Sequence, residues 1–134
     1  MEELLNKDYQ TAIVPTLSLR DGAAAIEFYK KAFGAEELMR VTAPDGLVVA
    51  EMSIEGARFF LADESPEQGN FSPETVGGVT IRIALFVSNP DAFADRAIAA
   101  GAKELYPVAD QDYGYRLGCV IDPFGHVWEI GRKM

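Results

Sequence analysis

The residues with the clearest chemical potential lie near the C-terminus, in the segment IDPFGHVWEI, residues 121–130. This segment holds the only histidine of the chain, His126, and the only tryptophan, Trp128, and it ends with Glu129 and Ile130. Carboxylates and imidazoles bind metal ions and transfer protons. Glu129 could therefore hold a metal ion, pair with a basic group, or do neither.

A single histidine restricts the metal chemistry that this sequence can support. A divalent site normally needs three or four good protein ligands, and softer ions prefer imidazole or thiolate. His126 lies three residues before Glu129, which puts the two side chains on opposite faces of a regular strand. Further ligands would have to come from Gln111, Asp110 or Asp112, or from carboxylates of a partner subunit.

The other reactive residues of this region have simpler interpretations. His126 follows Gly125 at the exit of a predicted turn, so we expect it to make a local hydrogen bond that holds the turn; a role as general base is the alternative. Cys119 is the only cysteine. It can form no intramolecular disulfide, and the apolar pattern around it predicts a small buried side chain. No catalytic residue is assigned.

The composition argues against several classes of function. The chain has 134 residues, enough for one domain, and carries 12 basic and 21 acidic side chains for a net charge of −9. This charge would repel the phosphates of nucleic acids and attract a cationic small ligand. No apolar run of about 18 residues predicts a membrane span, and the acidic, polar N-terminus does not resemble a signal peptide. We therefore expect a cytoplasmic protein that binds neither nucleic acid nor membrane.

The chain consists of two similar halves. The sequences AFGAEEL at 32–38 and AAGAKEL at 99–105 each end an Ala-rich helical stretch. In both halves the apolar pattern predicts strand–helix–strand–strand–strand, with Asp21 and Asn89 as helix N-caps and Gly34 and Gly101 at the helix ends. The predicted strands span 11–20, 37–42, 47–54 and 58–62 in the first half, and 79–87, 104–108, 115–121 and 126–132 in the second.

We interpret the chain as one domain, residues 1–134, with module one at about 11–62, a linker at 63–78 and module two at about 79–132. The linker contains two prolines, three glycines and few large apolar residues. It is too long for a tight turn. It is therefore either a disordered connection or a lid over a site.

A βαβββ unit used twice, with AAAIEFYKKAFGAEE in its first helix and DYGYRLGCVIDPFGHVWEI at its end, resembles the vicinal oxygen chelate superfamily of glyoxalases, bleomycin-resistance proteins and extradiol dioxygenases. The resemblance implies an α+β fold, with two tandem βαβββ modules forming curled mixed sheets around a cavity. It also implies a homodimer. In enzymatic members, His, Glu or Gln side chains from the first and last strands of each module hold a divalent metal ion, which acts as a Lewis acid.

Only one position of this chain matches the ligand set that the resemblance implies. Glu129 falls on the glutamate of the last strand. The remaining positions carry poor ligands. They fall near Phe60, near Val14 or its neighbours Thr16 and Ser18, near Arg82 or its neighbours Thr80 and Ala84, and at Val49. We therefore expect a cavity without a metal or other cofactor, with Glu129 as one ligand if a divalent ion does bind.

Arg82 and Glu129 both map near the position at which the resemblance would place a metal ion. A guanidinium is a permanent cation that matches a carboxylate, so we hypothesise that Arg82 pairs with Glu129 or offers its charge to an anionic ligand. Pockets also need apolar walls. Together with Glu129 and Arg82, the candidate ligand-binding residues are Phe60, Tyr113, Tyr115 and Thr16. Phe86, Phe124 and Trp128 are further wall candidates, although strand alternation favours the core for Trp128, and Phe60 rather than Phe59 is expected to face the cavity.

The sequence leaves two functions open. The first is a protein that binds a small molecule in a metal-free cavity, similar to the bleomycin-resistance proteins that sequester their ligand. The second is a metal-dependent lyase, isomerase or transferase of the glyoxalase kind, with Glu129 as one metal ligand. The poor ligand set favours the first.

Overall fold

The computed structural model describes residues 8–134, which form an α+β fold of two βαβββ modules. Module one contains β1 (Thr16–Leu19), α1 (Gly22–Phe33), β2 (Glu36–Thr42), β3 (Val48–Ile54) and β4 (Ala57–Asp63). The short helix α2 (Pro73–Val76) lies between the modules. Module two contains β5 (Ile83–Phe86), α3 (Pro90–Ala100), β6 (Lys103–Asp110), β7 (Tyr115–Ile121) and β8 (Val127–Lys133). The predicted fold class is confirmed.

Each module contributes one mixed sheet, and the two sheets have the same topology. Sheet one has the order β1-β4-β3-β2 and sheet two the order β5-β8-β7-β6, with only β1–β4 and β5–β8 parallel. Phe60 on β4 lies between Thr16 and Glu51, and Glu129 on β8 lies between Ala84 and Cys119. Phe60 and Glu129 are therefore equivalent positions of the repeat, as the sequence predicts.

The first strand of each module is shorter than predicted. β1 begins at Thr16 instead of residue 11, directly after Pro15, which has no N–H to donate to a neighbouring strand. β5 begins at Ile83 instead of residue 79. It pairs only with β8, which starts at Val127 after a turn, so the residues before Ile83 have no strand to pair with.

The segment 63–78 is folded, so its interpretation as a disordered connection is wrong. It contains a turn of 3₁₀-helix at Pro66–Gln68 and helix α2. Ser72 is fully buried and caps α2 by accepting from the backbone N–H of Thr75. The Glu64 carboxylate accepts from the Ser72 N–H at 2.9 Å and from the Thr75 hydroxyl at 2.8 Å, which ties the segment to the end of β4.

The two longer helices begin and end where the sequence predicts. The Asp21 carboxylate accepts from the N–H of Ala24 at 3.0 Å, and the Asn89 side chain accepts from the N–H of Ala92 at 3.1 Å. Gly34 ends α1 in the left-handed conformation with φ of 65°, which glycine adopts without strain.

The core joins the modules through α1, α3 and one face of each sheet. Trp128 is buried between Phe33, Tyr29 and Phe59, with ring centroids 4.9, 5.6 and 5.6 Å away. The buried Asp122 carboxylate accepts hydrogen bonds from the Tyr29 hydroxyl and the Trp128 indole N–H. Trp128 is therefore a core residue, as strand alternation predicts.

Within residues 8–134, none of the helices combines the length and the apolar character needed to cross a membrane.

Candidate functional site

Each sheet has one face toward the helices and one face away from them, which we call the open face. On sheet two, Leu85, Trp128 and Ile130 point toward the core and are buried. Because side chains alternate along a strand, Ala84 and Glu129 lie on the open face. Ala84, Glu129, Cys119 and Tyr106 are successive partners across the four strands. This row is the centre of the candidate site.

Glu129 lies between two donors. The Arg82 Nε donates to Glu129 Oε1 at 3.2 Å, and the Tyr106 hydroxyl donates to Glu129 Oε2 at 3.2 Å. The Glu129 side chain is 20% exposed and that of Arg82 is 67% exposed. The contact hypothesised between Arg82 and Glu129 is present, although Arg82 precedes β5 and reaches the carboxylate from its end. A ligand-binding role for the pair stays a prediction.

Tyr106 is the site residue that the sequence analysis missed. Irregular pairing between Glu104 and Tyr106 changes which side chains of β6 face which way, so alternation from the sequence does not place Tyr106. Partial burial and the nearby Cys119 and Glu129 raise the pKa of Tyr106 to about 12. The hydroxyl therefore stays protonated at neutral pH and remains a donor to Glu129.

Cys119 lies beside Glu129 on the neighbouring strand and is 2% exposed. Burial raises the pKa of its thiol, and the negative charge of Glu129 raises it further. A thiol with a raised pKa is a poor nucleophile because little thiolate forms at neutral pH. The prediction of a small buried side chain is confirmed.

Three aromatic rings extend the site along the same open face. Phe86 lies two residues after Ala84 on β5, on the same face, and is 57% exposed. Its ring centroid lies 5.7 Å from that of Tyr115, which in turn lies 6.1 Å from that of Tyr113. Tyr113 and Tyr115, both predicted site residues, therefore belong to the same surface as Glu129 and Arg82.

Thr16 and Phe60 lie elsewhere, on the open face of sheet one. They are partners on β1 and β4, and Glu51 on β3 completes the row beside Phe60. The Glu51 carboxylate pairs with the Arg58 guanidinium. The predicted ligand-binding residues therefore form two groups, one on each sheet.

Of the other wall candidates, Phe124 packs against Phe28 and Tyr29 of α1, away from both open faces.

A pocket of about 340 Å³ lies beside β1 rather than at Glu129. Thr16, Ser18 and His126 are among its polar lining residues, and Phe71 and Ile81 are among its apolar ones. Neither Glu129 nor Arg82 lines this pocket. Residues of β1, of the connecting segment and of module two line it together, so Thr16 faces a different space from the Glu129 row.

The local hydrogen bond predicted for His126 is made by its backbone N–H, which donates to Asp122, and not by its imidazole. Its Nε2 donates to the carbonyl of Ser18 in module one at 2.8 Å, so it joins the modules rather than holding its own turn. The turn is held by Asp122, whose Oδ1 accepts from the N–H groups of Phe124 and His126 at 2.9 and 3.0 Å. An aspartate at the first turn position is close enough to accept from the N–H groups that follow it. The turn therefore does not need the His126 imidazole, which bonds a residue of the other module instead.

A family model agrees with this repeated βαβββ fold. The model of the Glyoxalase/Bleomycin resistance protein/Dioxygenase superfamily matches residues 13–130. The chain belongs to this superfamily.

Several proteins are similar to this chain in sequence or in fold. An uncharacterized protein of Mycobacterium bovis is 42% identical over 129 residues, which cover 93% of this chain and 85% of that protein. The crystal structure of TioX from Micromonospora sp. ML1 is 26% identical with a TM-score of 0.72, covering 92% of this chain and all of that one. The fosfomycin resistance protein FosX of Listeria monocytogenes is 17% identical with a TM-score of 0.72, covering 94% and 95%. The likeness to FosX concerns the fold alone.

The superfamily includes metal-dependent enzymes, but the residues around Glu129 do not suit a divalent ion. In the part of the chain from 8 to 134, no group of three or more His, Cys, Asp or Glu side chains could hold a metal ion. The positions next to Glu129 carry the cation of Arg82, a protonated phenol, the methyl group of Ala84 and the buried thiol of Cys119, whose pKa is raised. Of the three loop candidates, Gln111 donates to backbone carbonyls of its own hairpin, and Asp110 pairs with Arg116.

Proposed function

We propose that this superfamily member binds a planar small molecule on the open face of sheet two without the help of a metal ion. One observation carries the proposal: the polar row of Glu129, Arg82 and Tyr106 adjoins the exposed ring of Phe86 and the half-buried ring of Tyr115 on one surface. Small-molecule sites typically combine apolar and aromatic walls with a few fixed polar groups.

The preorganised polar row supports binding rather than metal chemistry. Both carboxylate oxygens of Glu129 already accept hydrogen bonds, one of them from the cation of Arg82, so a metal ion at Glu129 would lie beside a guanidinium that repels it. The aromatic rings offer apolar surface that a bound ligand can bury. Stacking on such rings contributes about 0.5–1.5 kcal/mol beyond the area that it buries.

We also propose that a second copy of the chain covers the open faces. Exposed apolar side chains are frequent there: Met39, Val41 and Val49 on sheet one, and Phe86 and Tyr106 on sheet two. Monomers rarely expose large apolar surfaces. A homodimer would bury these side chains and enclose a ligand that would otherwise lie on an open surface.

The experiment uses 1-naphthamide, an uncharged planar probe, and isothermal titration calorimetry on the full chain. We expect binding that persists after exhaustive treatment with a chelator, in protein whose metal content has been measured by mass spectrometry. Phe86→Ala should weaken binding roughly five- to tenfold because the ring platform is lost. Phe71→Ala, which removes an exposed phenylalanine of the connecting segment, is the matched control and should leave binding unchanged.

Two results would count against the proposal. Loss of binding in Phe71→Ala but not in Phe86→Ala would place the probe in the pocket beside β1. A stoichiometric divalent ion whose removal abolishes binding would favour the metal-dependent lyase, isomerase or transferase. The oligomeric state is measured separately by sedimentation, where a monomer at all concentrations would contradict the homodimer.

A further inference from the structure

We propose that the ligand of this site is an aromatic carboxylate, whose acid group is bound by Arg82 and whose ring lies against Phe86 and Tyr115. The inference rests on the proposed function and specifies its ligand class. It opposes the expectation from net charge, which at −9 favours a cationic ligand. Three features of the open face of sheet two support it.

The first feature is the free edge of the Arg82 guanidinium. Arg82 uses its Nε to hold Glu129, and its two terminal nitrogens make no hydrogen bond to any residue from 8 to 134. A guanidinium presents donors along more than one edge, and the edge formed by the terminal nitrogens matches the two oxygens of a carboxylate. Glu129 therefore orients Arg82 and leaves its binding edge toward solvent.

The second feature is the state of Glu129 itself. Arg82 and Tyr106 each occupy one carboxylate oxygen, and the side chain is only 20% exposed. A cationic ligand that paired with Glu129 would share the carboxylate with the Arg82 guanidinium and would be repelled by it. An anionic ligand displaces neither Arg82 nor Tyr106, because it uses donors that are still free.

The third feature is the charge of the open face. The strand register places Lys103 opposite Ile121 and Lys133 opposite Tyr115, on the face that carries Arg82 and Glu129. Charges more than about 8–10 Å away are largely screened at physiological ionic strength. The net charge of the whole chain therefore says little about this site, and Arg82, which is in direct contact with Glu129, decides which ligand charge is favoured there.

The spacing of β5 determines what joins the acid group to the ring. Arg82, Ala84 and Phe86 follow one another at two-residue intervals on the same face. At roughly 3.3 Å per residue, the backbone positions of Arg82 and Phe86 are about 13 Å apart along the strand. The short side chain of Ala84 leaves the space between them open. The guanidinium reaches back along this space, so a flat bicyclic acid can contact Arg82 and Phe86 together.

The test compares three probes that share one ring system and differ in charge: 1-naphthoate, 1-naphthamide and 1-naphthylmethylammonium. Isothermal titration calorimetry of the full chain should give naphthoate binding about tenfold tighter than naphthamide binding, and the ammonium should bind most weakly. Arg82→Gln should reduce the preference for naphthoate to within about twofold. Arg132→Gln removes the same charge from the opposite face of β8, where Arg132 binds the Ser88 carbonyl, and should keep the preference.

Glu129→Gln provides a test with the opposite sign. Glutamine keeps an oxygen that accepts from Arg82 Nε and removes a negative charge beside the bound acid. Naphthoate should therefore bind several-fold more tightly, whereas a cation site or a metal site would lose affinity.

Several outcomes would overturn the inference. Equal affinity of naphthoate and naphthamide, an unchanged preference in Arg82→Gln, or weaker naphthoate binding in Glu129→Gln each contradict it. If naphthamide binds and responds to Phe86→Ala while naphthoate shows no advantage, only the ligand class is wrong. If none of the three probes binds, the proposed function fails with it.

Discussion

The two open faces of this molecule are built on the same backbone but carry different chemistry. The row Thr16–Phe60–Glu51 on sheet one corresponds to the row Ala84–Glu129–Cys119 on sheet two. Sheet one has its aromatic residue on the last strand and its acid on the strand beside it. Sheet two has its acid on the last strand, with Arg82 and Tyr106 holding it.

The residues on the opposite side of the same strands diverge much less. Leu17 corresponds to Leu85 and Leu61 to Ile130, and all four are buried against the helices. Phe59 corresponds to Trp128, both aromatic and both buried. Core packing restricts these positions to apolar residues of suitable volume, whereas the open faces are free to vary. Function in this fold is therefore expected at positions that alternate with the core.

The largest expected difference between the modules concerns the side chains that bond the last turn of each, Asp122 in module two and Ser53 in module one. Asp122 accepts from the turn N–H groups and also from the buried Tyr29 and Trp128, while within residues 8–134 Ser53 accepts only from the Gly56 N–H. Asp122→Ala leaves two buried donors without partners, each at about 1–3 kcal/mol. We expect it to lower the free energy of unfolding by about 3–5 kcal/mol in urea denaturation.

Ser53→Ala is the matched control, and it should cost about 1 kcal/mol because it removes a single turn hydrogen bond. Both variants are compared with the wild-type chain at one protein concentration. Equal losses in the two variants would mean that Asp122 acts as a turn residue alone and that its bonds to Tyr29 and Trp128 contribute nothing.

An intermediate effect is expected where sheet two uses glycine and sheet one uses alanine. Gly131 occupies the position of Ala62. A Cβ at Gly131 would lie 2.4 Å from the Arg116 carbonyl oxygen and 2.6 Å from the Leu117 side chain. Gly131→Ala should therefore destabilise the protein by about 1–3 kcal/mol through overpacking, measured by urea denaturation.

Ala62→Gly supplies the reciprocal change and should cost only about 0.5–1 kcal/mol, from the greater conformational freedom of glycine in the unfolded chain. If Gly131→Ala proved neutral or stabilising, the close approach of β7 and β8 on the open face would not constrain the sequence.

Much of this fold is predictable because its signals are local. Caps at Asp21, Asn89 and Gly34 and the two-residue alternation along β8 are decided by neighbouring residues, so the sequence predicts them correctly. The starts of β1 and β5 are not predictable in this way. A strand extends only as far as its partner, and the partner residues are distant in the sequence.

The candidate site was predictable in its parts but not in its assembly. Glu129 and Arg82 could be placed from the repeat, but Tyr106 depends on irregular pairing in β6 that leaves no local sequence signal. His126 bonds Ser18, a residue of the other module. Thr16 and Phe60 were predicted beside Glu129 because the two open faces were treated as one cavity, whereas the described chain keeps them on separate sheets.

The smallest expected effect concerns Tyr106, which occupies on sheet two the place that Met39 has on sheet one. The pKa of Tyr106 is raised to about 12, from an unfolded value near 10. Between these values the folded state binds more protons than the unfolded state, so this contribution to stability is present below pH 10 and is lost as the pH rises toward 12.

The substitution Tyr106→Phe removes this pH-dependent contribution. The fall in the free energy of unfolding between pH 9 and pH 11.5, measured with urea, should therefore be smaller in the variant. Tyr29, whose pKa is also raised by burial, is present in both proteins and cancels. An equal fall in both would mean that the Tyr106 hydroxyl does not need its proton in the folded state, and that its bond to Glu129 does not hold the carboxylate.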